Sequence, residues 1–186
     1  MAFAAKASTL LGKDQSQIKG GIAGAEYAYE WVPARNFIMI ALATGFAEAN
    51  GYDVLMLGTN LEEGGAYPDN ENQWIKDVSY SLYGAVQNGK KVRIETPVGD
   101  LMKHEIIPFG NQYDAPFHLT WSCYKDGEHP CMECGPDFMR ITAFERNGMV
   151  DPIITNALRD PKWTGRSHFE EHQKSKPQFL KKAKGE

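Results

Sequence analysis

The sequence predicts an α/β fold: part of a doubly wound parallel sheet, followed by a metal knuckle and C-terminal helices. Three observations carry that prediction. Val54, Leu55, Met56 and Leu57 form an unbroken apolar run of strand length, as expected of a strand covered on both faces of a parallel sheet. Segments with apolar residues at helical spacing lie on either side of it. All three cysteines, Cys123, Cys131 and Cys134, fall within twelve residues, a density that suits a metal site better than a disulfide scaffold.

Residues 1–30 carry little pattern. A short helix is expected over 2–11, and Gly12 and the run around Gly20-Gly21 mark loops. Gly20-Gly21 has neither a preceding strand nor a following Lys-Ser/Thr pair, so no phosphate-gripping loop is read there. Pro33 opens a helix that continues over 37–49 with Ile38, Ala41, Leu42 and Phe46 at helical spacing, and Asn50-Gly51 stops it. Arg35 and Asn36 then fall in the first turn, where free N–H groups and a guanidinium favour an anion. An arginine simply facing solvent is the alternative. After the strand at 53–58 come Thr59, Asn60, Glu62, Glu63, Tyr67 and Asp69. Ligands of open α/β sheets lie beyond such strand ends, and a carboxylate there can accept from the N1–H and amino group of a guanine-like edge. The alternatives are solvated glutamates, and Asp69 as the cap of a helix over 70–85. Residues 92–97 alternate and end at Pro97, a second strand. A short helix over 101–107 is expected to stop at Pro108 and Gly110.

The cysteines are more specific. Cys131 and Cys134 leave the two-residue gap that lets two thiolates meet one metal ion at about 2.3 Å. Cys123 can fold back across a Gly- and Pro-containing turn to supply a third sulfur. Structural zinc takes four ligands in a tetrahedron. Asp137, which repeats the gap after Cys134, is the natural fourth, and His129 is the alternative. Asp137 also has a plainer reading as a first-turn acid favoured by the helix dipole. Gly135-Pro136 opens that helix, Phe138, Ile141, Ala143 and Phe144 are its apolar positions, and Asn147-Gly148 ends it. For the cysteines, a disulfide with one thiol left over is the competing reading.

Around the knuckle, Thr120-Trp121-Ser122-Cys123-Tyr124, Gly127-Glu128, Pro130-Cys131, Cys134, Arg140, Ala143-Phe144, Gly148 and Asp151-Pro152 resemble the C-terminal signature of 7-cyano-7-deazaguanine synthases. These enzymes of the PP-loop ATP pyrophosphatase group make a precursor of queuosine and archaeosine. The resemblance spans residues 31–152, with 1–30 as an irregular N-terminal segment and 153–186 as a basic tail. It implies a PP-loop (adenine nucleotide alpha hydrolase-like) sheet with the zinc knuckle at 123–137. Family members hold zinc with four cysteines, and Asp137 stands where the fourth would fall. Val32-Pro33-Ala34-Arg35-Asn36 is a family-like string, which implies a place for Arg35 and Asn36 in the nucleotide pocket. Gly58, Asn60 and Glu62, followed by Tyr67-Pro68-Asp69, resemble the substrate loop, with Glu63 where an acid is usual. Leu101, Lys103 and Glu105-Ile106 resemble a stretch whose lysine lies near the ATP phosphates.

The implied activity is that of a ligase. It adenylates 7-carboxy-7-deazaguanine, aminates it to the amide, then adenylates again and dehydrates to the nitrile. Zinc and ATP with magnesium are the cofactors. No Ser-Gly-Gly string, the start of the group's pyrophosphate-gripping loop, occurs in the sequence. The expectation is therefore a component acting with a second chain, either an ATP-loop protein or a second copy. A non-catalytic, zinc-stabilised binding subunit is the runner-up, and an adaptor unrelated to the enzyme is the remaining reading.

The rest of the sequence sets bounds. With 186 residues, 42% hydrophobic and 24% charged, the chain has the size and composition of one ordinary globular domain. A formal charge of −4 argues against unspecific nucleic-acid binding. From Arg159 on there are eight Lys/Arg against four Asp/Glu, which reads as a solvated basic end. His168 and His172 share a helix face there, and a solvated helix is favoured over a metal pair. No apolar run approaches the roughly 18 residues of a membrane span. No signal-peptide layout opens the chain, and reduced thiols suit the cytoplasm. Finally, Val54 to Leu57 would be costly at a sheet edge, so a partner is expected to cover it.

Overall fold

The computed structural model describes residues 31–87, 89–125 and 127–183. The helix expected at 2–11 and the loops around Gly12 and Gly20 lie outside these residues. The described chain forms two compact units, one ending at Met102 and the other starting at Lys103.

The first unit is built on helix α1 (Arg35–Asn50), strand β1 (Val54–Met56), the short helix α2 (Leu61–Gly64), helix α3 (Asn72–Ser81) and strand β2 (Arg93–Glu95). The expected start of α1 at Pro33 is corrected: Pro33 and Ala34 form a turn, and Ala34 adopts a left-handed φ of 56° before Arg35 begins the helix. The stop is where local chemistry puts it. Gly51, at φ 74°, turns its N–H back to the Ala47 and Glu48 carbonyls, a left-handed cap that favours glycine. The buried stripe of α1 is Ile40, Thr44 and Ala47, whereas Leu42 and Phe46 are 70% and 64% exposed. The expected face was therefore the wrong one. Nearly every side of α1 is apolar, so periodicity cannot select which side packs.

β1 and β2 pair in parallel, with Val54 opposite Arg93, Leu55 opposite Ile94 and Met56 opposite Glu95. Both strands are shorter than the runs that predict them. Leu55, Leu57 and Ile94 share one sheet face and pack with Ile40, Val78, Leu82 and Trp74. Met56, on the other face, is 71% exposed. The helix expected over 70–85 divides into a 3-10 turn at Pro68–Asn70, α3, and a second 3-10 turn at Leu82–Gly84.

The second unit contains α4 (Lys103–Gln112), α5 (Gly135–Arg146), α6 (Pro152–Ala157) and α7 (Arg166–Ala183). Contrary to expectation, α4 runs through Pro108. Proline has no N–H to give the carbonyl four residues back, which normally breaks a helix. Here the Asn147 side chain on the neighbouring segment donates to that carbonyl, His104 O, at 2.7 Å. Gly110 is not a stop either. A Cβ on it would stand 2.3 Å from the Phe117 ring, so the glycine lets that ring pack. Ile107, Ala143 and Phe144 form the core there, with Phe117 and Met149 against it.

The segment read as solvated contributes Trp163 and Phe169 to a second core with Ile141, Ile154 and Ala157. His172 is likewise largely buried, with Nε2 2.9 Å from Glu145 Oε2. His168 pairs instead with Glu133, so the two imidazoles do not converge on one point. Among the described residues, no helix is long and apolar enough to cross a membrane.

Candidate functional site

The first unit holds a recess of about 360 Å³ at the C-terminal end of β1, between that strand and α1. Arg35, Asn36 and Glu63 line it, together with Met39, Ala43, Leu57 and Thr59 among others. Three further predicted residues stand behind this wall and hold it. Asn60 caps α2 by accepting from the Glu63 N–H at 3.3 Å, which fixes where Glu63 starts. The Asp69 carbonyl accepts from the Asn36 amide at 3.2 Å, and the Asn70 side chain accepts from the same amide at 2.8 Å. Tyr67 stacks on Trp31 with ring centroids 6.4 Å apart. The seventh predicted residue, Lys103, opens α4 in the other unit.

Asp69 is not the expected cap of α3, a position that Glu71 takes. Its carboxyl is buried with neither oxygen hydrogen-bonded, and Thr59 Oγ1 is in the same condition. Burial raises the Asp69 pKa, while the Arg35 charge and the nearby backbone N–H groups of Asn36 and Asp69, which do not reach hydrogen-bond geometry, pull against that rise. Buried polar atoms without partners are uncommon in folded proteins, and these sit at or behind the wall of a recess. Periodicity gave no sign of the apolar wall of Met39 and Ala43. Their spacing with Arg35, four residues per step, was the available signal.

The second unit gathers Cys123, Cys131, Cys134 and Asp137, whose ligand atoms all lie within 4.8 Å of one another. Cys134 occupies the cap position of α5 and Asp137 its first turn, where the helix dipole favours negative charge. Ser122 Oγ donates to Asp137 Oδ1 at 2.8 Å, and the Met132 N–H donates to Oδ2 at 3.1 Å, which aims the carboxylate at the sulfurs. The alternative ligand is otherwise engaged: His129 Nε2 lies 3.2 Å from Asp160 Oδ2. All three cysteines are free thiols, so the disulfide reading falls.

The sulfurs perturb one another strongly. Cys123 is pushed up to about 11, chiefly by its hydrogen bond to Cys131. Cys131 is drawn well below a normal thiol by the Cys123 and Cys134 contacts, while Cys134 is raised, first by Cys123. Burial raises Asp137. Cys123, Cys134 and Asp137 thus resist ionising beside a Cys131 that ionises readily, the condition a cation relieves when thiolates and a carboxylate share one point. Three soft sulfurs with one oxygen fit a tetrahedral metal site.

Several other signature residues join in one network centred on Arg140. Arg140 pairs with both oxygens of Asp151 at 2.5 and 3.0 Å, and also donates to Thr120 Oγ1 and the Phe117 carbonyl. Its guanidinium lies 5.6 Å from the centre of the Phe144 ring. The family resemblance singled out Thr120, Arg140, Phe144 and Asp151 without showing that they form one network, and Phe117 was not singled out.

Residues 2–148 match the family described as Queuosine biosynthesis protein QueC. The chain is 50% identical over 149 residues to the 7-cyano-7-deazaguanine synthase of Sulfolobus acidocaldarius, an alignment covering 78% of this chain and 32% of that protein. It is 50% identical over 133 residues to that of Saccharolobus solfataricus, covering 72% and 29%. It is 38% identical over 124 residues to that of Methanosarcina mazei, covering 67% and 53%. The chain thus spans about a third to a half of the length of these relatives. On the family match and these identities, the chain belongs to the QueC, or 7-cyano-7-deazaguanine synthase, family.

Proposed function

We propose that this chain carries the deazapurine- and nucleotide-facing part of a nitrile-forming ligase. That ligase converts 7-carboxy-7-deazaguanine to 7-cyano-7-deazaguanine with ATP and magnesium, and a separate chain supplies the loop that grips pyrophosphate. One observation carries the reading: an arginine, an asparagine and a carboxylate ring a recess beyond a parallel strand, against an apolar wall. Arg35 balances the charge of a carboxylate or phosphate group. Glu63 accepts from a guanine-like edge, and Met39 and Leu57 lie against a flat ring. Tyr67 and Asn60 hold the loop, Asp69 and Thr59 offer it hydrogen-bonding capacity, and the family resemblance assigns Lys103 to the ATP phosphates. Cys123, Cys131, Cys134 and Asp137 hold zinc, which contributes folding energy to its loop. Free thiols suit a cytoplasmic setting, and no direct nucleic-acid contact is involved.

The partner reading rests on exposed apolar surface. Met56, Leu42 and Phe46 are 71%, 70% and 64% exposed, and β1 has one edge unpaired among the described residues. A second chain, an ATP-loop protein or a second copy, buries this surface over well above ~1,000 Å².

Titration calorimetry with 7-carboxy-7-deazaguanine, with and without an ATP-loop chain, tests the proposal. Heat of binding that Arg35→Ala removes supports it. No binding in either arm leaves a zinc-stabilised, non-catalytic subunit instead. Light scattering tests the partner: a well-folded monomer at micromolar concentration sinks that part.

A further inference from the structure

The metal loop is gripped from behind by a segment that the family match, ending at residue 148, does not reach. Along the loop the contacts alternate. Cys131 and Cys134 face the ligand cluster, while the residues around them face the other way. His129 Nε2 lies 3.2 Å from Asp160 Oδ2. The Pro130 carbonyl accepts a buried hydrogen bond from the Trp163 indole at 2.7 Å. Met132 packs on the core that includes Trp163 and Ile154. Glu133 Oε1 lies 3.2 Å from His168 Nε2. Between these contacts the two backbones nearly touch: a Cβ on Gly165 would stand 2.6 Å from the Pro130 oxygen and 3.0 Å from the Cys131 carbonyl carbon.

We infer that residues 160–168 form a latch that positions Cys131 and Cys134 for the ion and slows its escape. The inference rests on the metal reading of the cysteine cluster. Left alone, this loop has reasons to relax. Met132 holds a left-handed φ of 60°, an uncommon and costly conformation for a non-glycine residue, and three sulfurs crowd together beside it. Trp163 opposes relaxation. It is 5% exposed, and its single N–H satisfies the carbonyl directly before Cys131. Losing that donor leaves a buried acceptor unpaired. Trp163, Gly165 and His168 touch no ligand atom, so they act as positioning residues. Outer-shell partners of this kind typically change metal affinity about 10–100-fold.

The test uses the full chain loaded with Co(II), whose absorption bands report ligand geometry, and measures the rate of release to a chelator. Trp163→Phe keeps the ring packing and removes the donor, and Gly165→Ala forces the backbones apart. Both should release the ion at least about tenfold faster, with shifted bands. His168→Gln, at a partly exposed site, leaves the core intact and should give a smaller change in the same direction. Lys162→Ala, on an exposed residue between the contacts, should match the wild type. Variants that melt earlier but keep the wild-type bands and release rate overturn the latch while leaving the metal site standing. A wild-type chain without Co(II) bands overturns the metal reading, and the latch with it.

Discussion

In the first unit the candidate ligand-binding residues stand around a recess, and buried oxygens of Thr59 and Asp69 make no hydrogen bond of good geometry. In the second unit the four candidate donors close on one another, and the groups around them are already hydrogen-bonded, as Ser122 and Met132 are to Asp137. The difference separates two kinds of occupant. A site with unspent hydrogen-bonding capacity suits a ligand that comes and goes. Donors that are buried, mutually perturbed and held by their neighbours suit an ion that stays and is part of the fold. The two regions should therefore respond differently to mutation, one in affinity and the other in stability.

The comparison breaks most visibly at the sulfurs. Purified chain should carry about one zinc. Cys131→Ser or Cys134→Ser should lose it and unfold the second unit, because apparent zinc binding energies of about 10–16 kcal/mol are folding energies in such sites. Asp137→Ala should weaken binding less than either. Metal analysis with limited proteolysis reads both effects, and a zinc-free, reduced, fully folded wild type would overturn the contrast.

A smaller effect is expected where no metal is involved. Arg140→Ala strands Asp151, whose side chain is only 2% exposed, and should cost about 3–5 kcal/mol in denaturant unfolding. In the recess the signature reverses. Arg35→Ala should reduce affinity for the anionic deazapurine about tenfold or more, the scale of a charged hydrogen bond, while the unfolding midpoint shifts far less than in Arg140→Ala.

The smallest effect concerns Asp69, and its sign is informative. Burial raises its folded pKa above the ordinary 3.8. The folded state therefore keeps the proton to higher pH than the unfolded state does. Its contribution favours folding below about 3.8 and is lost as pH rises through the raised value. Asp69→Asn should stabilise the chain at neutral pH, change little at acid pH, and weaken ligand binding. Destabilisation at pH 7 would show that Asp69 is structural.

What could be read in advance depended on how local the determining chemistry was. The stops at Gly51 and after Arg146, the strand at Val54 to Met56 and the cysteine cluster were all legible, because a cap, an apolar run or a ligand gap is written within a few residues. The packing face of α1 was not, since an all-apolar helix leaves the choice to its neighbours. Preference for Asp137 over His129 was only half legible, because Asp160 occupies the imidazole from outside the knuckle. That Arg35, Asn36 and Glu63 gather around one recess was legible from the strand end and the family strings. The unpartnered state of Thr59 and Asp69 depends on three-dimensional burial alone. The passage of α4 through Pro108 was hidden because its remedy, Asn147, lies far along the chain.

That remedy also bears on chemical ageing. Asn147 precedes Gly148, and an asparagine followed by glycine deamidates readily when the glycine nitrogen can reach the side-chain carbon. Here the amide is tied to the His104 and Ala143 carbonyls at 2.7 and 2.9 Å, and the Gly148 N–H is held by the Glu145 carbonyl at 3.0 Å. The bonds that let a proline sit inside a helix thus keep a labile pair from cyclising. Once loosened, the site would acquire a carboxylate facing the very carbonyl that needs a donor, and could not close again. For this Asn-Gly pair, one of three in the sequence, deamidation would follow only from local opening and would not reverse.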